Sequence, residues 1–122
     1  MKRFTAAALG VSLFAACAHS PPEEDIPVVH CIDGVNCDRV WSEAQAWVIA
    51  NSTWKLRIVN DTLITTEGPL QTTSAAFTIM KRPERDGVYR IDFQAACGNP
   101  FGCVPTVGQL HADFAAALRR VK

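Results

Sequence analysis

Four of the five cysteines in this chain stand in two pairs of equal spacing, and this restricts the fold more than any other feature. Five residues separate Cys31 from Cys37, and five separate Cys97 from Cys103. The first interval holds Gly34; the second holds Gly98, Asn99, Pro100 and Gly102. Glycine lets a short loop turn tightly enough to bring two sulfurs into bonding range. Four cysteines allow three pairings. Two local bridges are the favoured expectation, each contributing ~2 kcal/mol through chain entropy. A crossed pairing would close a loop of about 60 residues and contribute ~4 kcal/mol, so energy alone leaves it open.

Oxidation of those cysteines depends on where the chain is delivered, and the first 17 residues speak to that. Lys2 and Arg3 form a basic start, and Phe4 to Ala16 is an apolar run broken only by Thr5, Gly10 and Ser12. The run is too short for a bilayer span, which needs roughly 20 residues. It suits a removable secretory leader. Leu13-Phe14-Ala15-Ala16-Cys17 then places small residues just before a cysteine. This stretch resembles the lipobox of bacterial prolipoproteins. The resemblance covers the leader alone, and Phe14 stands where that family prefers Leu. It implies cleavage before Cys17, lipidation of the Cys17 thiol with palmitate-type chains, and membrane attachment through that lipid. Ala18, rather than Asp, after the cysteine implies the periplasmic face of the outer membrane. An ordinary cleaved signal also fits Ala16-Cys17-Ala18, which would leave a periplasmic or secreted protein. Both readings spend Cys17, so four cysteines remain either way.

The chain carries 12 basic and 12 acidic residues. Without Lys2 and Arg3 the mature form has 10 against 12, with no basic patch to favour nucleic acid. The expected organisation is a signal peptide over 1–16, a lipid-anchored flexible tether over 17–30 and one globular domain over 31–122. The tether reads as such because Ser20-Pro21-Pro22-Glu23-Glu24-Asp25 is proline-rich and acidic.

Within the domain, Val40, Trp41, Ala44, Trp47 and Val48 fall on one helical face, predicting a helix over residues 38–50 with Asn36 as N-cap. Residues 54–59 alternate, with Trp54, Leu56 and Ile58 on one side and Lys55 and Arg57 on the other. Strands are further predicted at 63–67, 76–82 and 88–96. Asp86-Gly87 turns the last hairpin. In the final strand Tyr89, Ile91, Phe93 and Ala95 oppose Arg90, Asp92 and Gln94. Thr106 and Gln109 make a capping box for a second amphipathic helix. The expected fold is α+β: a two-layer sandwich of a four-stranded antiparallel meander with both helices on one face, in the order α-β-β-β-β-α.

Catalytic and metal-binding patterns are sparse. His30 stands beside Cys31, but the cysteine spacing departs from the two to four residues usual for structural zinc. Asp33 and Asp38 flank Cys37, and a loop acid and a helix-start acid account for them. His111 falls at the edge of an apolar stripe. No hydrolase or phosphate-loop motif is present. The reading is therefore of a protein that is not an enzyme and needs no cofactor.

Two surfaces stand out as candidates for contact. Phe101, inside the Cys97–Cys103 interval, either projects as a knob or folds back over the core. Arg57 and Arg90 belong to a polar sheet face. The expected function is non-enzymatic binding of another cell-envelope protein. The alternative is binding of a small apolar or lipid ligand between sheet and helices, which requires a cavity among Trp41, Trp47, Phe77, Phe93 and Phe114.

Overall fold

The structure, a computed structural model, describes residues 26–122. The leader, Cys17 and the acidic part of the 17–30 segment lie outside the described residues. Seven elements follow in order: β1 (Val29–Ile32), α1 (Val35–Asn51), β2 (Leu56–Val59), β3 (Leu63–Thr66), β4 (Ala76–Arg85), β5 (Val88–Ala96) and α2 (Val107–Arg119).

The α+β class stands, but the sheet has five strands, not four, in the spatial order β1-β5-β4-β3-β2. The added strand is β1, antiparallel to β5 with Val29 opposite Ile91 and Ile32 opposite Val88. It begins ahead of position 31, where the sequence placed the start of the domain. Four residues with Val29 and Cys31 buried and His30 and Ile32 exposed are too few to register as alternation. β2 to β5 form the expected meander. α1 leaves β1 at one edge of the sheet and delivers the chain to β2 at the other.

α1 starts three residues earlier than its periodicity suggests. Gly34, with φ +78°, occupies the N-cap and offers no side-chain cap. Asn36 lies inside the first turn, not before it. Its Oδ1 accepts from the Ile32 N–H at 2.8 Å, which ties the end of β1 to the start of the helix. α2 has the capping box read from sequence: Thr106 Oγ1 accepts from the Gln109 N–H and Gln109 Oε1 from the Thr106 N–H.

Both helices cover one sheet face. Trp47 of α1 meets Phe77 of β4, Phe93 of β5 and Phe114 of α2 edge-on, at centroid distances of 5.2, 5.8 and 5.2 Å. Ile64, Ile79, Ile91, Val48 and Leu118 complete the core around them. Burial of each such side chain contributes about 1.5–3 kcal/mol. The Trp47 indole N–H, which would be costly to bury alone, donates to Asp113 Oδ2 at 2.8 Å.

The first expected strand is shorter than its alternation implies. A bulge lies between Leu56, opposite Thr66, and Ile58, opposite Thr65. The extra residue reverses the alternation, so Ile58 is exposed while Leu56 packs on the core.

Candidate interaction surfaces

Residues 97–103 form a loop that holds its own shape. The structure pairs Cys97 with Cys103 and Cys31 with Cys37, two local bridges with Cα separations of 5.5 and 4.9 Å. Inside the first of these loops Asn99 acts as a hub. Its Oδ1 accepts from the Phe101 N–H at 2.9 Å, and its Nδ2 donates to the Gly102 carbonyl at 2.9 Å and the Thr72 carbonyl at 2.6 Å. Gly102 has φ +89°, where a side chain would be strained. The loop is also laced to residues 70–74. Val104 N–H donates to the Thr73 carbonyl at 3.0 Å, and a Cβ on Gly98 would collide with the Leu70 carbonyl.

Held this way, Phe101 points outward and is 95% exposed. Of the two alternatives for Phe101, it projects and does not fold back over the core. Asn99 fixes the backbone at the apex, and the neighbouring 70–74 segment packs against Gly98. Val104 at 72% and Leu70 at 63% project beside it. Sequence reasoning singled out Phe101 but missed Leu70 and Val104, because nothing local says that the two loops meet.

The second surface is the free half of β5. β1 pairs with residues 88–91, so among the described residues no strand lies beside 92–96 on that side. The direction of their backbone groups follows from two bonds. Asp33 N–H donates to the Gly87 carbonyl, placing the odd residues of β5 with their polar groups toward β1. Phe77, opposite Ala95, sends its own N–H the other way, to Thr66 Oγ1 at 3.0 Å. The N–H and C=O groups of Phe93 and Ala95 therefore point out of the sheet. Among the described residues none of them has a backbone partner. Pro27, which lacks an N–H, falls where β1 would have continued opposite Phe93.

One groove, of about 320 Å³, lies along this edge with Ile26 and Val28 in its wall; a second, of about 440 Å³, crosses β3, β4 and β5, and the two share Phe93, Gln94 and His111. His111 stacks on Phe93 at 4.9 Å with the rings 11° from parallel. Burial there pushes its imidazole below the usual histidine range. On the outer face Asp92 forms ion pairs with Arg82 Nε and Arg90 Nε, each at 2.8 Å, and its Oδ2 accepts from Arg90 Nη2 at 3.4 Å. The two arginines are about half exposed, so these pairs orient side chains more than they stabilise the fold, at ~1 kcal/mol or less each.

The three residues proposed for contact do not converge. Arg90 lies in β5, Phe101 at the end of the molecule, and Arg57 at the β2 bulge. β2 and β5 are three strand spacings apart, about 14 Å. The remaining titratable residues are engaged or solvated: His30 pairs with Glu84, and Asp33 and Asp38 are exposed. The four domain cysteines are spent in disulfides, and among the described residues no group of three His, Cys, Asp or Glu comes together. Trp47, Phe77, Phe93 and Phe114 touch one another, and Phe77 and Phe93 also line the groove of about 440 Å³ that Val107 and His111 of α2 border on the helix side. Among the described residues no helix is long and apolar enough to cross a membrane.

Compared with known proteins, the chain matches no family model, no curated protein and no solved structure.

Proposed function

We propose that this chain is an envelope lipoprotein, attached through lipid on Cys17 at the periplasmic face of the outer membrane. Its domain acts without catalysis by binding another envelope protein. The observation that carries the binding reading is the free edge of β5. Among the described residues the outward N–H and C=O groups of Phe93 and Ala95 have no backbone partner, and Phe93 lines the groove beside His111 of α2. An extended segment of a partner adds at Ala95, past Ile26 and Val28 in the groove wall, as a sixth strand, since backbone pairing supplies affinity and alternate side chains supply specificity. Side chains facing the helices meet Val107 and His111 and are apolar; those facing outward meet Gln94 and the Arg82–Asp92–Arg90 cluster.

The test is photo-crosslinking in the host, with a crosslinking residue at exposed Gln94 in one strain and at Arg57 in another. The expected result is a discrete protein adduct from position 94 and none from 57. Ala95→Pro should abolish the adduct without unfolding the domain, because that N–H makes no bond within the sheet. No adduct at 94, or an equal one at 57, would refute the edge as the binding surface. Mass measurement of the same protein, showing an acylated Cys17 as its first residue, tests the anchor separately.

A further inference from the structure

We infer that the end of the domain carrying Phe101 rests on a zwitterionic lipid surface, so that the anchored domain has a fixed orientation. The inference rests on the lipidated reading of Cys17. Three observations converge on it. The first is the distribution of charge. In a chain that is 20% charged, residues 44–54, 68–80 and 93–110 contain no Asp, Glu, Lys or Arg. The fold gathers parts of all three at one end: Asn51 and Thr53, Ser74 and Ala75, and Val104 and Pro105 line one small pocket there. Lys55 and Glu67, joined by a backbone hydrogen bond from the Glu67 N–H to the Lys55 carbonyl, border it at the β2–β3 corner. The opposite end holds Asp33, Asp61, Arg85 and Asp86 in its turns, together with Arg119 and Arg120 at the end of α2.

The second observation is what the uncharged end exposes. Phe101, Val104, Leu70, Ile49 and Val107 all present apolar surface there. They stand on backbone already held by the Cys97–Cys103 bridge and the Asn99 hydrogen bonds, so little ordering opposes their insertion. An aromatic ring and aliphatic side chains on an uncharged rim suit the boundary between lipid headgroups and acyl chains.

The third is where the chain leaves the domain. β1 runs antiparallel to β5, so the residues before it head toward the C-terminal end of β5, and Ile26 and Val28 line the groove beside Asp92, Phe93 and Gln94. The N-terminal segment thus emerges toward the Phe101 end. Nine residues take the chain from Cys17 to Ile26, a reach of at most about 30 Å. That is roughly one diameter of a domain this size, so the apolar end meets the membrane before any other part does. Glu23, Glu24 and Asp25 in that segment disfavour an anionic surface, which is why zwitterionic lipid is the occupant proposed.

The test uses the full lipidated chain in phosphatidylcholine vesicles with brominated acyl chains, which quench tryptophan on contact. Phe101→Trp adds a reporter at the tip, and Ile32→Trp adds one at an exposed position at the opposite end. Against the parent protein, the tip reporter should be blue-shifted and lose most of its emission; the Ile32 reporter should lose none. Equal quenching at both positions, or none at the tip in protein whose mass shows an acylated Cys17, would overturn the inference while leaving the anchor intact. Protein without acyl chains on Cys17 would instead remove the reading beneath it. A protein adduct from a crosslinker at position 101 in the host, with no lipid quenching, would give the surface to a protein and overturn the lipid assignment.

Discussion

The two disulfide loops have the same number of residues and opposite consequences. Cys31 and Cys37, both nearly inaccessible, join the end of a strand to the first turn of a helix, and both belong to the core. Cys97 and Cys103 close a loop that leaves the sheet; Cys103 is buried at the margin of the core, but the loop between them displays an exposed phenylalanine. Chain entropy assigns each bridge the same ~2 kcal/mol, because it counts only loop length. The difference lies in what each loop is fastened to. One is fastened at both ends to regular structure; the other reaches sideways to a second loop through Thr72 and Thr73. A crosslink can therefore anchor a core or display a surface, and loop length does not distinguish the two uses.

Replacing both Cys31 and Cys37 by alanine should have the largest effect on stability, lowering the unfolding free energy by about 3–4 kcal/mol in urea titration. The loss combines chain entropy with the sulfur contacts made in the core. The matching change at Cys97 and Cys103 should cost about 2 kcal/mol and leave the secondary structure intact by circular dichroism. Equal losses from the two double variants would dissolve the contrast between them.

Asn99→Ala should cost about 1 kcal/mol by removing the hydrogen bonds that shape the second loop. Its sharper signature is faster amide exchange at Phe101 with no change in β1 or α1. Acidification gives a further, smaller contrast. Burial against Phe93 lowers the His111 pKa in the folded state, so below about 6.5 the unfolded chain binds a proton that the folded one resists. Stability should fall as pH drops from about 6.5 toward the lowered value and be fully present above it. His111→Phe, which keeps a flat ring on Phe93, should flatten that part of the profile. Phe101→Ala closes the series. It should change stability by no more than about 0.5 kcal/mol, because the ring touches almost nothing, while removing the lipid contact inferred for the tip.

Much of the fold was legible because its signals are local. α2 announced itself through Thr106 and Gln109, and β5 through strict alternation from Tyr89 to Ala95. Asp86-Gly87 marked the hairpin that joins β4 to β5. What was not legible involved partners distant in sequence. β1 is a strand because Val29 and Cys31 find β5 some sixty residues later, not because VHCI has any pattern of its own. The β2 bulge likewise belongs to the pairing with β3, so the alternation of Leu56 and Ile58 misled. The candidate surfaces divide the same way. Phe101 could be picked out from its loop, but its direction could not, since Asn99 and the 70–74 segment decide it. The open edge at Phe93 and Ala95 had one faint sign in sequence, the proline at position 27.

The sequence by itself determined which segments are helical or extended, which faces are apolar, and that four cysteines remain once Cys17 is set aside. These follow from periodicity, capping and spacing, all properties of neighbouring residues. Tertiary structure alone decided that a fifth strand joins the sheet and that, among the described residues, it pairs with only half of one edge of β5. It also decided that three uncharged stretches far apart in the chain meet at one end. The physical reason is that strand pairing and loop packing are settled by contact between distant residues, and no local pattern encodes which distant residue will be there.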